Sequence, residues 1–336
     1  MSAKPRSLAR ALERAWSGWR PERRPHGNVG RPFDLRYPVQ QHWGAKVAFY
    51  LYLGGTGAGL VFLEVLFRWQ GDLDGRTAAI GMWIGLALAV LSALAIFDHL
   101  GPVSRWSAYF AFRNLRRSWI ARGVTMLFAL LLLRLLLALP TLPGAEGLPW
   151  AEGTAAGDVL RVAVLLFAFA FMAYTGLVIS SWNAIAFWNT PLVPVLFVAS
   201  SLLGGVMGLA AVGWVAGGPA GMHTVGSIAF PYALQLLAAD AALLAVYVYG
   251  MSTATRPARV SVSMLLRGAL RRRFLGGAVA LGLVLPALVL VPQATGWLTC
   301  SVDTAWIFLA AIAGVQAGGY FLRDAVLRAG VYGPPV

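Results

Sequence analysis

Long runs of apolar residues dominate the chain, and short segments rich in polar residues, glycine or proline separate them. An α-helix needs about 20 mostly apolar residues to cross about 30 Å of hydrocarbon. Because lipid offers no water to unpaired backbone groups, such runs must be helical. The pattern predicts eight spanning helices, near residues 44–67, 77–97, 119–139, 159–181, 191–214, 225–249, 274–292 and 304–322.

The predicted fold class is therefore all-α: a polytopic membrane protein whose eight transmembrane helices form a bundle. A basic tail at 1–43 precedes the membrane domain at 44–322, and a short C-terminal tail covers 323–336. Only 12% of the residues are charged, about half the share in soluble domains. The polar, basic start predicts no secretory signal. Two interpretations of the tail stay open, a helix at the membrane surface or on a partner and a disordered segment.

The net charge of +14 is unevenly distributed. Lys and Arg concentrate before span one, after spans two and six, and at the C-terminus, which an eight-span chain brings to one face, the basic side. The opposite face, the acidic side, holds Asp72, Asp74, Glu146, Glu152, Asp158 and Asp303, and only four Lys or Arg residues. The positive-inside rule then predicts a cytoplasmic-membrane protein with both termini in the cytoplasm. Because these cations decorate no soluble fold, nucleic acid is not an expected partner.

Span one contains the stretch "YLYLGGTGAGL", with glycines at 54, 55, 57 and 59. A dinucleotide-binding loop needs the spacing GxGxxG, and Leu60 breaks that pattern. At helical spacing, Gly55 and Gly59 instead form a GxxxG pair, which permits close approach of a neighbour. Two neighbours are considered: another helix, or a quinone ring or tail lying along the groove.

Two acidic residues lie within predicted spans, where ionisable groups are costly and mark candidate functional sites. Asp240 lies well inside span six, and Glu64 lies toward the outer end of span one. Both are candidate proton-relay groups. The structural alternatives are an ion pair of Asp240 with Arg134 in span three, and an i,i+4 pair of Glu64 with Arg68.

A set of polar residues gathers near the basic-side ends of spans one to four. An acid, histidines, a phenol, an amide and cations at one depth could bind and protonate a quinone, which needs hydrogen-bond partners and a proton route. Anchoring at the lipid headgroups is the alternative explanation. The candidate quinone-pocket residues are His42, Lys46, Asp98, His99, Arg122, Tyr174 and Asn183.

Metal chemistry is not expected in this chain. Its one cysteine, Cys300, excludes a cysteine-ligated iron–sulfur cluster. A membrane b-type haem would need histidines inside facing helices, whereas His42, His99 and His223 all lie at span ends. No metal ligands are therefore predicted, and any metal centres would belong to a partner.

Four segments resemble the NrfD-type membrane subunits of polysulfide-reductase-like complexes. They are "YLYLGGTGAG" in span one, "FRNLRRSWIARG" entering span three, "YTGLVISSWNAIAFWNTPLVPVLFVASSLLGG" at 174–205, and "FLRDAVLRAG" near the end. The third is the most specific. The resemblance covers about residue 41 to the end and is looser in spans seven and eight.

This resemblance implies a subunit of a respiratory oxidoreductase complex that binds quinone or quinol, menaquinone or ubiquinone. It implies electron exchange with a ferredoxin-like iron–sulfur subunit serving a catalytic, often molybdopterin, subunit. The family's quinone tyrosine would correspond to Tyr174, and a polar residue opening span one would fall near Lys46. Where the family usually has Asp-Leu-Gly-Arg-Pro, this chain has Asp98-His99-Leu100-Gly101-Pro102, so the arginine moves to Arg105 and His99 becomes a candidate substitute.

Whether the protein itself is catalytic stays open, as does the side on which partners dock, because many relatives serve partners outside the cytoplasmic membrane. A secondary transporter or channel is the main alternative function, since many glycines and an acid inside a span also occur in transporters. The halves show no convincing repeat. A passive membrane anchor is a third possibility, but it leaves Asp240 unexplained.

Overall fold

The computed structural model describes residues 38–111, 115–116 and 118–333, without the side chains of 97–111. In this part of the chain the regular structure is helical, apart from one isolated antiparallel bridge between Val39 and Val331. The helices are α1 (Ala45–Gln70), α2 (Gly75–Ala111), α3 (Trp119–Ala138), α4 (Ala155–Ser180), α5 (Leu192–Thr253), α6 (Arg256–Leu266), α7 (Arg272–Ala294) and α8 (Ala305–Arg328). In α7, wide π-type turns at Arg272–Val284 precede an α-helical part at Leu285–Ala294.

Seven of the described helices are long and apolar enough to cross a membrane. One of them, α5, has 62 residues and is interrupted by non-helical backbone at Gly217 and Gly218, the latter with φ of 62°. Beyond this break the backbone folds back on the first arm. This is shown by the contacts of Gly221 and Val225 with Gly213. The two arms, 192–216 and 219–253, correspond to predicted spans five and six. The predicted all-α fold is thus confirmed, and the count of eight agrees when the arms are counted separately.

Local sequence signals account for several helix ends. Ser118 Oγ accepts a hydrogen bond from Ala121 N at 3.2 Å, and Thr154 Oγ1 accepts one from Gly157 N at 3.0 Å. These N-caps satisfy backbone donors that have no partner within the helix. At the other end of α1, Gly71 adopts φ of 85°, a left-handed conformation that glycine adopts readily.

Two helices extend beyond the predicted spans. Helix α2 continues to Ala111, past the predicted end at 97, and α8 continues to Arg328, past the predicted end at 322. The sequence pattern assigns Arg323 to the basic C-terminal tail, but this residue lies inside α8 and is fully buried. The apolar pattern misses this extension because an arginine normally marks the end of a span, whereas the fold supplies oxygen partners for this one.

Helix α1 lies at the centre of the bundle and packs against α2, α4, α5 and α8. Its glycines face these neighbours. A side chain at Gly59 would overlap the backbone of Ser201, and one at Gly205 would overlap the backbone of Gly59. Of the two neighbours considered from sequence, the structure shows a helix at this face: Gly55 and Gly59 admit the first arm of α5.

The Phe-Trp-Asn-Thr-Pro segment before α5 has a structural role. Tyr247 Oη donates a hydrogen bond to the Phe187 carbonyl at 2.6 Å, and Trp188 Nε1 donates one to the Val326 carbonyl at 2.9 Å. Trp188 and Tyr247 are buried. The segment therefore ties the connection between α4 and α5 to the second arm of α5 and to the end of α8.

The close contact of α1 with α5 predicts that Gly205→Ala lowers the unfolding temperature of the detergent-solubilised protein by several degrees. The added Cβ would overlap the backbone of Gly59 and Leu60, and overpacking costs about 1–3 kcal/mol. Thermal unfolding followed by tryptophan fluorescence measures the effect. Gly250→Ala, in the same helix with nothing within 4 Å of its Cβ, is the matched control and should be neutral or stabilising. Equal unfolding temperatures for the two variants would contradict the packing argument.

Candidate functional site

A cavity of about 460 Å³ lies near the acidic-side ends of α1 and α3, and Glu64 and Arg134 line it. The two side chains form a direct ion pair, and each is 1% exposed. Neither alternative considered from sequence is correct here: Arg134 pairs with Glu64 and not with Asp240, and Glu64 does not pair with Arg68. Residues 70 positions apart meet because α1 and α3 are both neighbours of α2 in the bundle.

The acidic-side connection between α3 and α4 closes over part of this cavity. Arg68 forms an ion pair with Glu152, and Arg161 lies 3.4 Å from the same carboxylate and 2.8 Å from Asp158. The hydrogen bond from Arg68 lowers the pKa of Glu152, so this carboxylate is ionised at neutral pH. The mouth of the cavity is thus an ion-pair network exposed to water.

The floor of the cavity is polar and incompletely satisfied by protein. Within the described residues, Nε and Nη1 of Arg134 are buried and have no hydrogen-bond partner. Buried polar groups of this kind are commonly satisfied by water when space is available. The cavity is therefore suited to hold water between the acidic side and the buried Glu64–Arg134 pair.

A second ionisable site lies deeper in the bundle, between the second arm of α5, α7 and α8. Asp240 is 5% exposed, and its Oδ1 has no hydrogen-bond partner among the described residues. It borders a small cavity of about 10 Å³ together with Ser200 and Gly319. No described residue forms an ion pair with Asp240, so an ionisable group inside the bundle remains available for proton transfer or ligand contact.

Arg323 of α8 is a fully buried cation in the same bundle. It is absent from the site residues predicted from sequence. Its guanidinium donates to Ser201 Oγ at 2.8 Å and to the Gly319 carbonyl at 2.9 Å. It also lies 4.9 Å from the centre of the Phe197 ring. Neutral oxygens and an aromatic face thus hold this cation inside the bundle. The sequence signal for Arg323 was its place in the family-like segment "FLRDAVLRAG". The signal was missed because Arg323 and the nearby Arg328 together look like an ordinary basic tail.

Tyr174 of α4 is buried near the basic side. Its ring stacks on Phe171 with a centroid distance of 5.7 Å, and it occupies the space where Gly123 of α3 has no side chain. Tyr50 and Ser92 border the same small cavity of about 10 Å³. Hydroxyl-bearing side chains of α1, α2 and α4 therefore converge here, but a quinone ring would enter only if side chains move.

The other predicted pocket residues are more dispersed. His42, Lys46 and Asn183 are exposed, and Asn183 accepts a hydrogen bond from Asn189 at 2.8 Å. Arg122 lies in the first turn of α3 beside Gly123 and donates to the carbonyls of Leu115 and Arg116, before that helix, at 2.8 Å each. The side chains of Asp98, His99 and Arg105 lie outside the described residues. The structure thus brings Tyr174 to the helix turn that carries Arg122.

Another cavity, of about 230 Å³, lies on a different face of α1. It is mostly apolar, and its polar members include Tyr52 and Gln316. Tyr52 Oη donates to Gln316 Oε1 at 2.8 Å, and Gln316 Nε2 donates to the Gly204 carbonyl at 2.9 Å. These residues were not predicted as site residues; a glutamine inside span eight was the available signal.

Within the described part of the chain, no group of three or more His, Cys, Asp or Glu side chains is placed to hold a metal ion. Cys300 is a free, buried thiol in the connection before α8, and burial raises its pKa.

The fold and its buried charges define a class: a polytopic α-helical membrane protein with ionisable groups inside the bundle. The sequence matches the family described as "Polysulphide reductase, NrfD" over residues 36–334. It therefore belongs to the NrfD polysulphide reductase family, and the resemblance inferred from sequence is confirmed.

Individual relatives agree. The polysulfide reductase C chain of Wolinella succinogenes is 28% identical over 310 residues, which cover 87% of this protein and 94% of that relative. Protein NrfD of Escherichia coli is 29% identical over 183 residues, covering 48% of this protein and 57% of that relative. An NrfD homolog of Haemophilus influenzae is 24% identical over 279 residues, covering 76% and 86%.

The Glu64–Arg134 pair predicts strong non-additivity. Glu64→Leu or Arg134→Leu alone leaves one buried charge without its partner, which typically costs about 3–5 kcal/mol, whereas removing both charges can be nearly neutral. Thermal unfolding of the two single variants and the double variant measures the coupling. The double variant should unfold at a higher temperature than either single variant. Additive losses would show that the pair does not act as a unit.

Proposed function

We propose that this protein is the integral membrane subunit of a respiratory oxidoreductase complex, that it binds quinone or quinol, and that it exchanges electrons with an iron–sulfur partner. Family membership supports the proposal, as does the relative named as the C chain of a polysulfide reductase, a name that implies a multi-subunit reductase. The observation that carries it within this protein is the burial of Tyr174 among hydroxyl-bearing side chains at the junction of α1, α2, α3 and α4.

In this proposal the Tyr174 hydroxyl hydrogen-bonds a quinone carbonyl oxygen. Gly123 leaves the space that the phenol occupies, and the adjacent Arg122 supplies positive charge at the same helix turn. Arg122, Lys46, His42 and Asn183 would act at the entrance. Asp98 and His99 stay candidates from sequence.

A quinone takes up or releases protons when it is reduced or oxidised, so a proton route is required. Asp240 and Glu64 are the candidate proton carriers. Glu64 adjoins a cavity that is suited to hold water, and Asp240 has a carboxylate oxygen that no described protein group satisfies. Both are buried, so a proton can be retained within the bundle during transfer.

The partners in this proposal are a ferredoxin-like iron–sulfur subunit and a catalytic, molybdopterin-type subunit, which would hold the metal centres. The protein would lie in the cytoplasmic membrane, with both termini in the cytoplasm as the basic segments indicate. Protease accessibility of the N-terminal tail in sealed vesicles of known orientation tests this topology. Digestion of the tail only when the protease is on the side opposite the cytoplasm would contradict it.

Loss of the Tyr174 hydroxyl should lower quinone-linked turnover. We expect Tyr174→Phe to reduce quinol-dependent electron transfer at least roughly tenfold, because one hydrogen bond to the quinone is lost, without changing assembly of the complex. Turnover of the purified complex with a soluble quinol measures this effect. Tyr232→Phe, on a half-exposed ring, is the matched control and should retain full activity.

A parallel Tyr52→Phe variant distinguishes the two cavities beside α1. If Tyr52→Phe abolishes turnover while Tyr174→Phe retains it, the quinone ring binds near Gln316 and the Tyr174 assignment is wrong.

The proton carriers are tested separately. Asp240→Asn preserves shape but removes the titratable group, so we expect slower steady-state turnover with little change in quinone affinity. Stopped-flow proton uptake or release by the complex measures the step directly. Unaltered proton kinetics in both Asp240→Asn and Glu64→Gln would remove these residues from the route.

The alternative, a secondary transporter or channel, is favoured by one observation: the cavity of about 460 Å³ reaches a buried ion pair from one side. Solute or ion flux through the purified protein alone in liposomes, without partners or quinone, would support that function and count against the electron-transfer proposal.

A further inference from the structure

An apolar groove of about 610 Å³ runs between the second arm of α5 and α7. Its walls include Leu244, Val248, Tyr249, Phe274, Val279 and Leu283. A transmembrane helix about 10 Å wide and about 30 Å long has a volume several times larger. Such a helix could insert only side chains into the groove, whereas a single hydrocarbon chain could lie inside it.

The basic-side end of the groove is bordered by Leu266 at the end of α6, and its opposite wall starts near Phe274 of α7. The short connection between these two residues carries four arginines. Arg273 is neutralised by Asp324 at 2.6 Å. The other three, Arg267, Arg271 and Arg272, are exposed.

Asp324, the acid beside Arg273, is already paired with Arg273 and Arg328. No Asp or Glu occurs between residues 241 and 302, and within the described residues the three exposed arginines form no ion pair. The exposed arginines lie between Leu266 and Phe274 in the chain, two residues that line the groove. Positive charge next to an apolar groove is complemented by one type of ligand, an anion attached to an acyl chain.

Helix α6 has the character of an interfacial helix. Ala258, Val262 and Leu265 are buried along one side, and Arg256 and Arg259 are exposed on the other. Amphipathic helices with arginine on the polar face lie at the level of the lipid headgroups. This places the neighbouring arginines where a phosphate group of the bilayer would be found, with the groove below them in the hydrocarbon.

We propose that this groove binds one anionic phospholipid, with an acyl chain along α5 and α7 and its phosphate between Arg267, Arg271 and Arg272. Arginine recognises phosphate through paired, charge-assisted hydrogen bonds, and basic sites beside membrane helices bind anionic lipid headgroups. The groove shares Leu244 and Leu283 with the small cavity beside Asp240, but neither Tyr174 nor Glu64 lines it. The three arginines are not part of the proposed quinone pocket, so the inference does not depend on the quinone assignment.

Native mass spectrometry of the full-length protein in detergent tests the headgroup contact, with phosphatidylglycerol or phosphatidylcholine added at equal concentration. We expect preferential retention of one phosphatidylglycerol, and roughly tenfold or more weaker binding in Arg267→Gln/Arg271→Gln. Arg76→Gln/Arg116→Gln removes the same net charge from two exposed arginines. Arg76 lies at the start of α2 and Arg116 in the connection between α2 and α3, and neither is a sequence neighbour of a residue that lines the groove, so this control should bind normally.

A second pair of variants tests the part of the groove that would hold the acyl chain. Ala245→Trp would fill the groove, which Ala245 lines, and should displace the lipid while the arginines are intact. Ala242→Trp, on the same arm and also exposed, does not line the groove and should leave binding unchanged. Equal retention of the two lipids, equal loss in the arginine variant and its control, or complete competition by inorganic phosphate alone would overturn the proposal.

Discussion

The close approach of α1 to the first arm of α5 is the constraint on which the rest of this bundle depends. Gly59 and Gly205 bring two backbones together, so that no side chain separates the helices. In lipid, helices gain little from hydrophobic burial against one another, and close packing is a principal source of association. Because α1 also contacts α2, α4 and α8, its glycine face sets the positions of the helices that carry both Tyr174 and Arg323.

A second consequence concerns charge. Close packing leaves little water inside the bundle, so buried charges require partners supplied by the fold. Arg134 finds Glu64, Asp324 finds Arg273 and Arg328, and Arg323 is held by hydroxyl and carbonyl oxygens and by a ring. Asp240 is the acid among these groups for which no ion pair is found within the described residues, and its Oδ1 is buried without a described hydrogen-bond partner. An ionisable group without an ion-pair partner is costly inside a membrane protein, and such groups mark functional sites. Asp240 is therefore part of the proposed proton route.

Several features were predictable from sequence because they depend on local pattern. Apolar run length predicted the spans, and the spacing of Gly55 and Gly59 predicted a packing face. Side-chain partners were less predictable. Arg68 lies one helical turn from Glu64 and was a reasonable partner, yet it binds Glu152, 84 residues away. Helix rotation decides such choices, and rotation follows from packing between helices. The polar set near the basic side shows the same limit, since Tyr174 is buried while His42, Lys46 and Asn183 are exposed.

The sequence by itself determined the membrane class, the approximate spans, the family and the glycine face, because each follows from composition, periodicity or a contiguous motif. Only the tertiary structure decided that Gly205 of α5 packs on this glycine face, that Arg323 belongs to the bundle interior, and that Glu64 and Arg134 share a cavity. The physical reason is common to all three. Each depends on which faces of distant helices meet, and in a low-dielectric interior that meeting determines which charges are paired and which remain available for chemistry.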